Sequence, residues 1–537
     1  MMDQKFHSFH IKTHAGLRLT RVRFVLLGIL LLFNLPQAHA QKSASLPKKL
    51  PSVDKIVENY LKASGGKRNI SAIRDASYEW TIQLNAQPFG TAKTKRKPPS
   101  SERWEMLFGN GRIVSATNST SSWEIGLDNQ LHTLTGPEGA TAKFRALLDA
   151  SRLVNYKKVN VLGRVVSLGD LGSEPAYIVE FSTRGGARLQ YYFSVKTSLI
   201  TKVTDDARKT RTFFDDYRAE KGIVEPHRIR VSSGSGELTE LTFILQSVNY
   251  NLGIENQQFE PPRAAEDLDV VALLREVGKN QDEVEKRVTE YAFVQKETDR
   301  EISSKGELKK ETVKVYEVFP LANRAPIEKL ISENGVPLSG ERAAHEEKRV
   351  QEELLKAERD KEKDEREAAK RRAEQQKKNK EAGRAGDDDP EISQFLKICE
   401  FVSPRREKFG ERDTIVFDFR PRAGFKPSNR EESLIAKLVG ALWIDPVDKQ
   451  VIRLEARLAE GFKMVGGLLV SLKPGAAMVM EQTRMADGVW LPRFAQINLS
   501  VKVLLFGGGD YNKTIEWSDY KHFSGDVKDY KIEAPKP

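Results

Sequence analysis

The chain has 537 residues, of which 30% are charged, and a formal net charge of +11 at pH 7. This length accommodates roughly three domains. With one cysteine the chain cannot form an internal disulfide, so its stability must come from a buried core. The basic residues are interspersed with acidic ones and form no basic stripe. This argues against nucleic acid as a partner and leaves peripheral contact with anionic lipid headgroups open.

Residues 1–40 have the three parts of a secretory signal. Five basic residues precede an apolar run at 24–33, and Ala38-His39-Ala40 is a small-x-small cleavage site. The apolar run is much shorter than the ~20 residues of a membrane-spanning helix. Gln41 stands where a lipidated cysteine would follow. We therefore expect cleavage after Ala40 and export to the periplasm; a retained N-terminal anchor is the alternative.

Residues 53–62 carry apolar side chains at helical spacing, directly after a residue type that caps helix N-termini, Ser52. The pattern predicts an amphipathic helix that lies on an apolar surface. Gly65 and Gly66 end this helix and are candidate hinge residues.

Short strands with alternating apolar and polar residues follow from Tyr78 onward, interrupted by a helical patch at 144–148. Strict alternation with hairpin-length gaps predicts an antiparallel sheet with one dry face and one wet face. We expect this first domain to span residues 41–262.

Helical periodicity returns at 267–287, and strands resume at Tyr291, so residues 263–537 are expected to form a second β domain. Residues 340–390 interrupt it with a charged helical insertion that has acidic and basic residues at i,i+4. A projecting, solvated helix is predicted there. A partner-binding arm or a coiled-coil segment is the alternative, although no sustained heptad supports a coiled coil.

The two halves of the chain resemble each other in part. The strand–turn–strand segment at 192–203 aligns with residues 442–453, and Gly222 to Arg228 aligns with Gly488 to Arg493. We therefore expect an α+β chain: two tandem antiparallel, open half-barrel β domains, each with packing helices, plus a projecting charged helix in the second.

No catalytic or metal site emerges from the motifs. Beyond residue 40 the chain has four histidines, and none has a second His or Cys at metal-ligand spacing. A Gly-x-Ser-x-Gly elbow, a phosphate loop and a Rossmann glycine pattern are missing. We expect a protein that is not an enzyme and has neither cofactor nor metal. Cys399 is expected to pack as a small apolar side chain.

Bulky side chains in the first domain occupy alternate strand positions, and we expect them to share one face of the sheet. They are either ordinary core beneath the first helix or the lining of an apolar cavity that holds a lipid. The candidate ligand-binding residues are Tyr78, Trp80, Ile82, Trp104, Met106, Phe108 and Trp123.

The first domain resembles the periplasmic outer-membrane lipoprotein-sorting family, the Lol-type carriers and their relatives. The resemblance rests on a set of diffuse motifs: the helix–double glycine–strand order from Ile56 to Trp80, Arg103-Trp104-Glu105-Met106 with Gly109-Asn110-Gly111-Arg112, Ser122-Trp123-Glu124-Ile125, Val248-Asn249-Tyr250-Asn251, and Phe259-Glu260-Pro261-Pro262.

That resemblance implies an unclosed β-barrel capped by helices, with an apolar cavity for acyl chains. The implied partner is a lipid or an acylated lipoprotein, and the implied role is that of a non-enzymatic carrier. Because burying a sixteen-carbon chain gains about 12 kcal/mol, a carrier of this kind needs a movable lid. The alternative is an envelope scaffold or interaction protein with a solid core, which binds an envelope protein through the charged helix.

Overall fold

A computed structural model describes residues 50–109, 111–170, 174–233, 240–263, 268–303, 306–321, 326–381, 395, 397–464, 470–503 and 507–522. The expected signal segment at 1–40 and the end of the charged insertion, 382–390, lie outside these residues. The described residues belong to one compact unit. The domain boundaries expected from the sequence stay a prediction.

The described helices are few. Helix α1 starts where the sequence predicts it, because the Ser52 Oγ accepts a hydrogen bond from the Lys55 N–H at 3.3 Å. The helices are α1 (Val53–Ala63), α2 (Lys67–Ser71), α3 (Gly136–Ser151), α4 (Val270–Val288), α5 (Gly340–Glu381) and α6 (Arg430–Ile435).

The first sheet has 13 antiparallel strands in the order β6-β5-β4-β3-β2-β1-β13-β12-β11-β10-β9-β8-β7. Pairing of the first strand with the last brings the two ends of this segment together in the middle of the sheet. The strands are β1 (Ala76–Leu84), β2 (Gln87–Lys97), β3 (Ser101–Phe108), β4 (Gly111–Thr117), β5 (Ser122–Ile125), β6 (Leu131–Thr133), β7 (Leu162–Asp170), β8 (Pro175–Ser182), β9 (Arg188–Ser194), β10 (Ile200–Asp205), β11 (Thr210–Glu220), β12 (Ile223–Ser233) and β13 (Glu240–Tyr250).

The second sheet also has 13 strands, with the main path β17-β16-β15-β14-β26-β25-β24-β21-β20-β19-β18 and a short β22–β23 pair attached to β25. Its strands are β14 (Tyr291–Ile302), β15 (Leu308–Phe319), β16 (Ile327–Glu333), β17 (Val336–Pro337), β18 (Cys399–Phe409), β19 (Arg412–Pro421), β20 (Leu438–Asp445), β21 (Gln450–Leu458), β22 (Phe462–Met464), β23 (Val470–Leu472), β24 (Ala477–Arg484), β25 (Trp490–Val503) and β26 (Gly507–His522).

The architecture is mostly antiparallel sheet, and both sheets are open along the described strands, as the sequence predicts at this coarse level. Cys399 is buried, and burial raises the pKa of its thiol to about 12, which agrees with the expected apolar packing.

Helix α3 sets the shape of the first sheet. It connects the two edge strands β6 and β7, and it packs against β2 to β5 and also against β9. Because these strands lie in opposite halves of the strand order, the sheet must bend around the helix. Phe144 and Leu148 on α3 are buried in the main core, together with Ile56, Val57 and Leu61 from α1.

Helix α5 occupies the charged insertion and is anchored only near its start. Val350 and Leu354 pack on Phe319 and Ile327 of the second sheet. Beyond Ala357, the side chains that the structure describes on α5 are exposed, or half-buried in one case. The helix therefore continues beyond the apolar contacts that the structure describes for it.

Candidate functional site

The strand register places six of the seven predicted residues on one face of the first sheet, because directly opposed residues in an antiparallel pair share a face. This face carries the core beneath α1 and α3 and is called the inner face below. The six form three cross-strand rows: Tyr78–Thr94–Trp104, Trp80–Ala92–Met106 and Ile82–Gly90–Phe108.

The aromatic rings of these rows contact one another. The Trp80 ring stacks on Tyr78 and on Trp104, with centroids 5.8 Å and 6.3 Å away. Trp104 in turn meets the Phe243 ring edge-on at 5.6 Å. The Trp80 Nε1–H donates to the Thr94 Oγ1 at 3.0 Å, so its only polar group is satisfied inside the core. A ligand-binding role for these residues stays a prediction.

Trp123 does not share this face, and the structure corrects the expectation that it does. Trp123 lies opposite Ala116, which lies opposite Arg103, the neighbour of Trp104 with opposite parity. Its ring stands 5.6 Å from the Arg103 guanidinium, and its Nε1–H donates to the Phe259 carbonyl at 3.1 Å. Trp123 therefore belongs to a separate cluster on the outer face.

One end of the inner face is apolar and half-buried. The Phe108 row continues through Ile82 to Phe243, Ile229 and Phe214 on the far strands. At this end a group of half-buried side chains packs on the core while keeping part of its surface open; we call it the apolar shelf. It consists of Phe89, Met106, Phe108, Phe214, Val231 and Leu241.

A glycine makes the middle of the shelf possible. A Cβ at Gly90 would lie 2.2 Å from the Leu107 carbonyl oxygen and 3.2 Å from a ring carbon of Phe108. Any side chain there would force strands β2 and β3 apart or displace the ring. The Phe89 and Phe108 rings meet beside this point at 4.9 Å.

A cation borders the shelf. The Arg145 Nη2 on α3 donates to the Thr212 Oγ1 at 3.1 Å, and Thr212 lies directly opposite the shelf residue Val231. Arg145 as a whole is half-buried. It therefore places hydrogen-bond donors beside apolar surface, the arrangement that orients an amphipathic ligand.

The other end of the inner face is ionic. The Glu225 carboxylate accepts hydrogen bonds from Arg152 at 2.6 Å, Tyr250 at 2.7 Å and Tyr78 at 3.1 Å. Burial would raise the pKa of Glu225, but the Arg152 charge and the hydrogen bonds from Arg152 and Tyr250 outweigh it and hold that pKa below its ordinary value. Arg152 is the C-cap of α3, so the cluster ties the end of this helix to the sheet.

A second set of ion pairs joins the same helix to β2. Arg96 pairs with Glu102 at 2.7 Å and with Asp149 of α3 at 3.7 Å, and the Tyr191 hydroxyl donates to Asp149 at 3.3 Å. Burial raises the pKa of the Asp149 carboxyl despite the neighbouring Arg96 charge. The contacts that Asp149 makes with Arg96 and Tyr191 were missed in the sequence because these residues are distant along the chain.

The candidate hinge glycines have conformations that favour glycine. Gly65 has a φ of +114° and Gly66 a φ of +90°, both in the range that L side chains avoid. A Cβ at Gly65 would lie 2.3 Å from the Gly222 carbonyl oxygen, and the Val224 N–H donates to the Ser64 carbonyl at 3.1 Å. The segment is tied to the β11–β12 turn, and its role as a hinge stays a prediction.

Two clefts open elsewhere on the described surface, and none of the seven predicted residues lines either. A cleft of ≈ 520 Å³ lies at the β1–β2 turn beside Arg228 and Arg230, and one of ≈ 670 Å³ lies beside Arg406, Lys408 and Arg412. Within the described ranges no cluster of His, Cys, Asp or Glu could hold a metal ion. No helix in the described part of the chain has the length and apolar character to cross a membrane.

No protein-family profile matches the sequence, and no curated protein does. Solved structures do. A DUF1329 family protein from Desulfovibrio piger is 14% identical, with a TM-score of 0.28, over 39% of this chain and 97% of that one. A LolA superfamily protein from Nitrosomonas europaea is 9% identical, with a TM-score of 0.29, over 40% and 99%. An outer membrane lipoprotein-sorting protein domain from Vibrio parahaemolyticus is 10% identical, with a TM-score of 0.27, over 38% and 95%.

Lipoprotein-sorting proteins, the family that the sequence resembles, are thus among the solved structures to which this chain is similar. These identities and TM-scores describe only what the chain is similar to. The function proposed below rests on the residues and contacts described above.

Proposed function

We propose that this protein is an exported, non-enzymatic envelope protein that binds the acyl chain of a lipid or a lipoprotein on the apolar shelf. The observation that carries the proposal is a half-buried apolar surface that is continuous with a buried aromatic core. Such a surface on a soluble domain is a candidate ligand site. The expected signal segment at 1–40 supports an exported, periplasmic location.

The energetics favour a hydrocarbon ligand. Each methylene removed from water gains about 0.8 kcal/mol, so a chain that covers the shelf and displaces part of the α3 contacts is held strongly. The ordering of the chain and the movement of α3 offset part of this gain. Reversible binding, which a carrier needs, follows from that offset.

Arg145 supplies the polar end of the site. Its guanidinium already donates to Thr212 beside the shelf and has further N–H groups for an acyl carbonyl, a carboxylate or a phosphate oxygen. An acyl chain would then lie along the shelf with its polar end at α3. This placement predicts a ligand with one long apolar tail and one hydrogen-bond-accepting head.

The test compares two neighbouring residues on β3 that face opposite sides of the sheet. Phe108 belongs to the shelf, whereas Leu107 is 56% exposed on the outer face. Phe108→Asp and the matched control Leu107→Asp add the same charge one residue apart. Each protein is prepared without detergent and extracted for acyl lipids by mass spectrometry, and then titrated with a dansylated fatty acid, with circular dichroism as a check on folding.

Wild-type protein and L107D are expected to carry acyl lipid and to bind the fatty acid, and F108D is expected to bind at least about tenfold more weakly. If F108D fails to fold, Phe108→Ser replaces it. Folded wild-type protein that is empty and does not bind the fatty acid would contradict the proposal. Equal losses in L107D and F108D would also contradict it.

A second function has one observation in its favour, the length of α5 beyond its anchor. Described side chains after Ala357, such as Arg359 and Lys370, are exposed and available to an envelope protein partner. Deletion of residues 361–381 should then abolish recovery of a periplasmic partner in a pull-down without changing thermal stability. Unchanged recovery would contradict this alternative.

A further inference from the structure

Helix α3 is covered on two sides. From Thr141 to Ser151 every residue is buried or half-buried, whereas a helix that caps a sheet normally leaves one face exposed. Phe144 and Leu148 account for the side against the first sheet. The first sheet bends around the helix and covers more of it through β9, and the second sheet contacts it as well.

The second sheet contacts the helix at its middle through an ion pair. Lys143 precedes Phe144 on the helix. Its Nζ lies 3.1 Å from a carboxylate oxygen of Glu455 on β21. Glu455 also accepts from Arg453 at 2.6 Å. Burial opposes the ionisation of Glu455, but Lys143 and Arg453 outweigh it and hold its pKa below the ordinary value. Lys143 and Glu455 therefore form an ion pair that joins α3 to the second sheet.

The second sheet also holds the segment that leads into α3. The Thr133 N–H donates to Glu407 at 2.6 Å, and its hydroxyl donates to the same carboxylate at 2.7 Å. Arg405, whose side chain is fully buried, donates to the Thr133 Oγ1 at 2.8 Å and pairs with Asp418 at 3.0 Å. Residues of β18 therefore hydrogen-bond Thr133, which lies three positions before the helix begins, and Asp418 of β19 pairs with one of them.

Further contacts flank the helix on both sides. Before it, the Thr120 and Ser121 hydroxyls donate to Asp418 at 2.8 Å and 2.7 Å. After it, the Asn160 side chain donates to the Pro474 carbonyl at 3.1 Å. The second half of the chain therefore contacts the first at both ends of the connection that contains α3. One contact lies at β6, before the helix, and the other lies just before β7, after it.

We propose that the second sheet is the gate of the acyl-chain site. The second sheet holds α3 at Lys143 and the segment before it at Thr133, so α3 can move off the inner face only when these contacts are released. This inference rests on the proposed function and concerns the regulation of that same site. It gives the second half of the chain a task that a single open sheet would not need.

The test weakens the contacts between α3 and the second sheet and leaves the residues of the apolar shelf unchanged. Thr133→Val removes the hydroxyl but keeps its shape, and Lys143→Met removes the charge but keeps an apolar stem. The control is Lys437→Met, which removes an ion pair with Glu460 at 3.1 Å inside the second half. Two quantities are measured on the full chain: amide hydrogen exchange across α3, and the association rate of a dansylated fatty acid.

T133V/K143M is expected to raise both the exchange rate in α3 and the association rate by about tenfold, while K437M matches wild type. The number of bound fatty acids should stay the same. If the double variant does not fold, K143M alone is used, because Lys143 is half-buried. Unchanged exchange in α3, or fatty acid uptake at the wild-type rate, would overturn the gate and leave the proposed function standing. No uptake by any of the proteins would overturn both.

Discussion

The Glu225–Arg152 pair allows a direct test of how much the ionic cluster contributes to the free energy of unfolding. Glu225→Gln preserves the shape of the side chain but removes the charge that Arg152 faces at 2.6 Å. Arg152 is nearly buried and pairs with no other carboxylate among the described residues, so its guanidinium would remain in the core without a counterion. Breaking a buried pair by removing one partner costs about 3–5 kcal/mol. Because glutamine keeps one acceptor, we expect a loss of about 3 kcal/mol.

The matched control is Glu58→Gln on α1. Glu58 pairs with Lys55 at 3.1 Å, but both side chains are more than half exposed. Exposed pairs of this kind contribute about 0–1 kcal/mol, so the free energy of unfolding of E58Q should be close to that of wild type. Urea denaturation followed by circular dichroism measures both free energies of unfolding. A change of less than about 1 kcal/mol in E225Q would refute the account of the ionic cluster.

The pH dependence supplies a second, independent check. The folded-state pKa of Glu225 lies below its ordinary value of 4.5, so its carboxylate stabilises the fold above that pH. This contribution disappears as the pH falls through the lowered pKa and the folded state takes up a proton. The stability difference between wild type and E225Q should therefore be largest above pH 5 or so and should shrink under more acidic conditions. A difference that widens on acidification would contradict the assignment.

Three further predictions follow from single contacts. Gly90→Ala should destabilise the protein by about 1–3 kcal/mol, measured by urea denaturation, because a Cβ would lie 2.2 Å from the Leu107 oxygen, while Gly109→Ala, whose Cβ meets nothing within 4 Å, should not. Trp123→Phe should cost about 1–2 kcal/mol without changing fatty acid binding, because it removes the bond to the Phe259 carbonyl on the outer face; weakened binding would contradict the face assignment. Arg145→Met should weaken fatty acid binding in titrations more than it weakens binding of a neutral hydrocarbon probe, and equal effects on the two ligands would contradict its role.

Local signals in the sequence predicted much of the first half. The Ser52 cap and apolar spacing located α1, because both features act within one helical turn. Helix α3 was predicted only over 144–148 although it begins at Gly136. Its first turn has two glycines and a proline, residues that lower helix propensity but are tolerated at an N-terminus.

The site was less accessible to sequence reasoning. Parity within β1 and β3 correctly grouped Trp80 with Trp104, but parity cannot be carried through turns of unknown geometry, and so Trp123 was placed on the wrong face. The far side of the shelf, Phe214 and Leu241, has the alternation that could have revealed it. The Glu225 cluster and the Thr133–Glu407 contact join residues 73 and 274 positions apart, which no local pattern encodes.

Fluorescence quenching by a dibrominated stearic acid tests the acyl-chain site most directly, because bromine quenches only the tryptophans it approaches. Trp104 is half-buried against Phe243 on the inner face, whereas Trp123 lies on the outer face. Trp80 shares that inner face, in the row of the shelf residue Met106. The account predicts saturable quenching that is largely lost in a Trp80→Phe/Trp104→Phe double variant and retained in Trp123→Phe. Quenching that is unchanged when both Trp80 and Trp104 are replaced, or none at all in the folded protein, would contradict the account.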